Sequence, residues 1–175
     1  MMSLAFVFWM FVVLFGIIGA MRGWVKELLV SFSVLLCLAL NLLLRKYVPP
    51  ITTLGENEIG LFWIRTLILL LLVFFGYQTI NIPGLTGKAA REKLQDTLLG
   101  GVFGAINGYL VVGTLWHYIN QAGYPFTYIQ PPNPADPMGQ AALELLPYMP
   151  PLLLGEPGIY FAVIIAFIFV LVVFL

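Results

Sequence analysis

Five stretches of this chain are apolar for long enough to cross a bilayer, and that feature excludes most folds at once. A helix rises 1.5 Å per residue, so about 20 apolar residues, with a range near 17 to 25, cover the hydrocarbon. Residues 4–21, 28–44, 61–82, 97–119 and 159–175 meet that requirement. Charged residues make up roughly a quarter of a soluble domain, but only 9% of these 175 residues are charged and 61% are hydrophobic. The expected fold is therefore an all-α integral membrane protein with five transmembrane helices. Eight basic and eight acidic residues cancel, so no overall field recruits nucleic acid. Membrane lipids, other membrane subunits or further copies of the chain are the expected partners. The first apolar run is longer than the core of a signal peptide and has no basic leader, so it is expected to be a retained helix.

The runs divide the chain into a four-helix membrane core over residues 1–119, a loop over 120–158 and a fifth helix over 159–175. The loop holds nine of the twelve prolines and cannot be one regular element. Within it, residues 138–149 (MGQAALELLPYM) suit a short interfacial helix. The loop is too apolar and aromatic to stay solvated, so it is expected to pack on the bundle or dock a partner. Lys and Arg are retained on the cytoplasmic side. Arg22, Lys26, Lys88, Arg91 and Lys93 fall on one side, against Arg45, Lys46 and Arg65 on the other. This bias puts the N-terminus outside and the C-terminus in the cytoplasm, with the Pro-rich loop facing outward. Arg65, near the start of the third span, is expected to snorkel to the interface. A cysteine replacing Thr86 should then be labelled only from the cytoplasmic side; labelling from outside would reverse this topology.

One phrase occurs twice. GIIGAMRGW at 16–24 and GVFGAINGY at 101–109 share Gly16/Gly101, Gly19/Gly104, Ala20/Ala105 and Gly23/Gly108. Glycines four apart lie on one helix face and let another backbone approach closely, which helps helices associate in lipid. Gly100, Gly104 and Gly108 form such a stripe on the fourth helix, and Gly19 and Gly23 form a shorter one on the first. The two helices run antiparallel, so the stripes are expected to meet in the inner half of the membrane. Where the first phrase has Arg22, the second has Asn107.

The order of these parts resembles the colicin V production family of bacterial inner-membrane proteins over about residues 5–120. The resemblance rests on a G-x-x-R-G-aromatic-x-x-E pattern at Gly19, Arg22, Gly23, Trp24 and Glu27. It also rests on a D-x-x-L-G-x-x-x-G pattern at Asp96, Leu99, Gly100 and Gly104. It implies a four-helix core in the bacterial cytoplasmic membrane, a tie to colicin V export and envelope homeostasis, and importance for Arg22, Glu27, Asp96 and the glycines. It implies no reaction. Relatives often carry a basic residue in the second phrase, where this chain has Asn107, and an acidic residue near the start of the first helix, which is absent here. The Pro-rich loop and the fifth helix extend beyond the usual four.

The residues themselves suggest little chemistry. Arg22 and Glu27 are five apart, a poor spacing for a pair on one helix, but a turn at Gly23 would let them meet, cap the second helix or hold a lipid phosphate. Asp96 before Thr97 suits the N-terminus of the fourth helix, where a carboxylate accepts amide hydrogen bonds. The polar residues Asn41, Gln78, Asn81 and Asn107 suit interhelical hydrogen bonds. His117, with Gly113 one turn before it, has the spacing that admits a tetrapyrrole beside an axial ligand; its other reading is an interfacial hydrogen-bonding side chain. A lone histidine cannot build an ordinary zinc site. No metal or resident cofactor is expected, with bound lipid, pigment or haem as the alternative. Three functions remain: a non-enzymatic structural or interaction component, an accessory subunit of a photosynthetic or respiratory complex, and a transporter or secretion component.

Overall fold

The structure is a computed structural model that describes residues 4–55, 57–78 and 90–174. The end of the third span at Ile82, together with Asn81, Thr86, Lys88, Glu56 and Leu175, lies outside the described residues, as does the side chain of Arg91. Among the described residues every regular element is helical: α1 (Leu4–Arg22), α2 (Trp24–Tyr47), α3 (Pro49–Thr52), α4 (Ile59–Tyr77), α5 (Ala90–Gln121), α6 (Pro137–Leu145), a 3-10 turn (Leu146–Tyr148), α7 (Pro150–Leu153) and α8 (Gly158–Phe174).

Four helices, α1, α2, α4 and α5, are each long and apolar enough to cross a membrane. The most apolar helix, α8, is 17 residues long. It leaves the α6–α7 segment at a bend of 59°, and counting it brings the possible spans to five. Burial is one-sided. Only Ala5, Phe8, Val12 and Gly19 of α1 are buried, while Phe6, Trp9, Val13 and Ile17 face outward, as do Leu67, Leu70, Phe74 and Phe75 of α4. A soluble monomer rarely exposes apolar patches beyond a few hundred Å². Here lipid is the solvent that makes this surface stable.

Two helix starts differ most from those expected. The second helix starts at Trp24 instead of 28, so a single residue, Gly23, separates it from α1. The fourth starts at Ala90 instead of 97, because the good helix formers Ala90, Glu92, Lys93 and Leu94 extend it. At 32 residues α5 is about 48 Å long, more than the hydrocarbon needs, and its charged first turns extend past the apolar layer.

Helix α5 is the hub, packing on α1 most extensively and then on α2 and α4. Its central residues Leu110, Val111 and Tyr118 join Val34 and Cys37 of α2 and Phe62 and Leu69 of α4 in one buried cluster. Phe8 and Val12 of α1 meet Trp116, Ala142 and Met149 in a second. A third, Leu38, Ala39 and Ile159, fixes the start of α8 against α2. The Pro-rich segment lies on these helices: Phe126 packs edge-on to Phe62 at 5.6 Å and to Trp63 at 6.3 Å, and the Tyr109 hydroxyl donates to the Tyr148 carbonyl.

Candidate functional site

The two glycine phrases pack against each other, antiparallel. A β-carbon on Gly19 would collide with the Gly100 carbonyl oxygen and stand 2.6 Å from Cα of Gly104. Gly104 faces the Phe15 carbonyl and Gly19, and Gly108 faces Val12 and Phe15. Gly16 lies against Gly101 and Ala105, and Gly101 against Ala20. At Gly19, Gly104 and Gly108 only hydrogen on the α-carbon permits the approach, whereas a β-carbon at Gly16 or Gly101 would make ordinary contacts.

That crossing positions a charged cluster. Gly23 has φ 87°, a left-handed conformation that costs glycine nothing and other residues strain. It ends α1 after Arg22 and starts α2 at once, so Glu27 lies in the first turn of α2. The reversal compensates for the unfavourable five-residue spacing: Arg22 Nη1 reaches Glu27 Oε1 at 2.5 Å. The Glu27 side chain is fully buried and that of Arg22 is 20% exposed. The second carboxylate oxygen, Oε2, accepts from Asn107 Nδ2 at 2.8 Å, and the same amide also donates to the Glu27 carbonyl at 2.8 Å. Ser31 Oγ in turn donates to Asn107 Oδ1 at 2.6 Å.

Arg22 and Asn107, which occupy the same place in the two phrases, therefore converge on one carboxylate, one on each oxygen. Arg22 also donates from Nη2 to the Tyr77 carbonyl at 3.1 Å, and its guanidinium lies 4.4 Å from the centroid of the Tyr77 ring. That carbonyl belongs to the last turn of α4, where acceptors lack helical partners and the dipole favours a cation. Burying a charge costs several kcal/mol unless its lone pairs are satisfied. Here one carboxylate is met by a cation, an amide and the positive end of α2. The cluster ties α1, α2, α4 and α5 together at one end of the bundle.

Asp96 caps a different helix from the one expected. It lies in the second turn of α5, not at its start, and its Oδ1 accepts the Trp24 N–H of α2 at 3.2 Å. A β-carbon on Gly23 would stand 2.9 Å from both Asp96 carboxylate oxygens, so this cap requires glycine twice, for φ and for space. Arg65 also differs from expectation. It is buried at 8% exposure and turns into the bundle, donating to Gln121 Oε1 at 2.6 Å. His117 is buried at the same end. Beside Gly113, where a macrocycle would need room, Pro150 and Met149 fill the space, with Pro150 Cδ 2.7 Å from where a β-carbon would be.

Arg22, Glu27, Asp96 and the glycines stand out in the sequence; Ser31 and the Tyr77 carbonyl do not. Ser31 carried a usable signal, since it follows Glu27 by four residues on the same helix face. The Tyr77 carbonyl carried none. Among the described residues no three His, Cys, Asp or Glu side chains group as metal ligands.

Fold and site together define a multi-spanning α-helical membrane protein whose helices close on a buried ion pair. The family model described as colicin V production protein matches residues 4–130, and the chain belongs to that family. The match runs from α1 through α5 into the Pro-rich segment and leaves α6, α7 and α8 outside it. No curated protein and no solved structure matches the chain.

Proposed function

We propose that the chain is a non-enzymatic structural or interaction component of the bacterial cytoplasmic membrane, with α8 as a fifth span and the Pro-rich segment on the outer side. One observation carries this reading. The Arg22–Glu27–Asn107 cluster bonds to itself and to neighbouring backbone, joining helices, while the surface offered to the surroundings is apolar. A transporter would need opposed charges along a path through the bilayer; the Arg22–Glu27 pair instead lies at one end.

The reading is tested by solubilising native membranes in mild detergent, isolating the protein, and recording its absorption spectrum and companion polypeptides. A colourless protein associated with itself or with other unpigmented envelope proteins is the expected result. Stoichiometric haem- or pigment-bearing subunits would replace this reading with that of an accessory subunit of an energy-transducing complex.

A further inference from the structure

At the end of the bundle where α1 starts, α6 and the Pro-rich segment before it pack beside α1 and leave an open cleft of about 520 Å³. Its apolar wall is Leu4 and Val7 of α1 with Ile129, Pro132, Met138 and Ala142. Tyr128 also lines it, 82% exposed, with its ring stacked on that of Phe126 at 6.0 Å. The turn leading into α6 is pressed onto the helix, so that a β-carbon on Gly139 would collide with the Asn133 carbonyl oxygen. Pro131, Pro132, Pro134 and Pro137 restrict the backbone of the same turn. The cleft is thus largely pre-formed, as small-molecule sites usually are.

Its charge has one sign. Among the described lining residues Asp136 alone is ionisable below pH 9, apart from the Tyr128 phenol. Asp136 precedes α6 but makes no side-chain capping hydrogen bond, and Pro137 after it has no N–H to offer. No Lys or Arg follows Lys93 in the sequence, so residues 120–158 carry Asp136, Glu144 and Glu156 with no basic side chain. A phospholipid headgroup would bring its phosphate to a carboxylate with no local cation to receive it. A cation with an apolar body fits every part of the lining. The aliphatic wall takes apolar area out of water, Asp136 opposes the charge, and the face of an exposed tyrosine attracts a cation. Clefts of about 300–1,000 Å³ with apolar walls and few polar groups suit ligands of this size class.

We propose that this cleft binds a lipophilic organic cation, with its apolar body against Val7, Met138 and Ala142 and its charge beside Asp136 and the Tyr128 ring. The proposal does not depend on the structural role given above.

The full-length protein in dodecyl maltoside is dialysed to equilibrium against three ions in separate arms, with protein-free micelles as the blank. Tetraphenylphosphonium should bind saturably at one ion per chain. Tetraphenylborate, of the same shape and opposite charge, and tetramethylammonium, which has the charge without the apolar surface, should not saturate at the same concentrations. Asp136→Asn keeps the shape and the capping preference of the residue, so it should fold. It should weaken tetraphenylphosphonium by about five-fold, the upper end for an exposed charge pair. Glu144→Gln, an exposed acid of α6 outside the cleft lining, should bind as the wild type does. Absence of saturable tetraphenylphosphonium binding would overturn the proposal, as would equal binding of either of the other two ions. So would an Asp136→Asn variant that binds normally, or equal losses in Asp136→Asn and Glu144→Gln. Binding that arises only when residues 1–3, which precede Leu4 in sequence, are deleted would assign the cleft to the chain's own N-terminus and overturn the proposal too.

Discussion

Replacing Glu27 with alanine is expected to destabilise the bundle by about 3–5 kcal/mol, the cost of breaking a buried ion pair from one side. The variant leaves the Arg22 guanidinium facing a cavity and removes one of the two acceptors of the Asn107 amide in the same step, the Glu27 carbonyl remaining. Arg22→Met with Glu27→Met removes both charges and keeps apolar volume, so the double variant should be closer to wild type than Glu27→Ala is. Asn107→Ala should cost on the order of 1 kcal/mol, since a membrane-buried hydrogen bond contributes little beyond that. Unfolding in mixed micelles of dodecyl maltoside and sodium dodecyl sulfate, followed by circular dichroism, measures all three. Small, additive losses in the single variants would show that the cluster does not hold the helices.

The second large effect is expected at the glycine crossing. Gly104→Leu should cost about 3 kcal/mol or prevent folding, at the upper end of overpacking penalties. The atoms in the way are backbone, the Phe15 carbonyl and Cα of Gly19, the latter 2.8 Å from where the new β-carbon would be. No rotamer can relieve that contact, so α1 and α5 would have to separate. Gly60→Ala is the matched control: nothing lies within 4 Å of its β-carbon position, and in the first turn of α4 losing a glycine should be neutral or stabilise by less than the roughly 0.5–1 kcal/mol of a mid-helix position. The same unfolding assay reads both, and equal effects would remove the distinction between a packed and an open glycine.

Several parts of this architecture are legible in the residues alone. The apolar runs must become helices because lipid offers backbone groups no hydrogen-bond partners, and the glycine spacing of four marks a face in a way that survives folding. What could not be read depends on contacts distant in sequence. Lys26 and Glu27 look like loop residues because they are charged, yet the turn at Gly23 places the Glu27 carboxylate against Asn107, 80 residues away. Asp96 precedes a helical run as a cap would, but the helix extends upstream of it and the N–H it accepts belongs to Trp24. Arg65 is as compatible with a snorkelling side chain as with an inward one, and Gln121, 56 residues on, decides between them. The match of Arg22 to Asn107 is visible in the repeated phrase; that both serve one carboxylate required the antiparallel crossing.

A disulfide across the crossing tests that geometry most directly. A β-carbon at Gly16 would stand 3.5 Å from that of Ala105, within the range of roughly 3.5–4.5 Å that a disulfide spans. Gly16→Cys with Ala105→Cys, oxidised in native membranes while Cys37 stays buried, should give a monomer in which peptides containing residues 16 and 105 are joined, as read by mass spectrometry before and after reduction. A disulfide-linked dimer, or a monomer with both thiols still free, would contradict the antiparallel pairing of the two phrases.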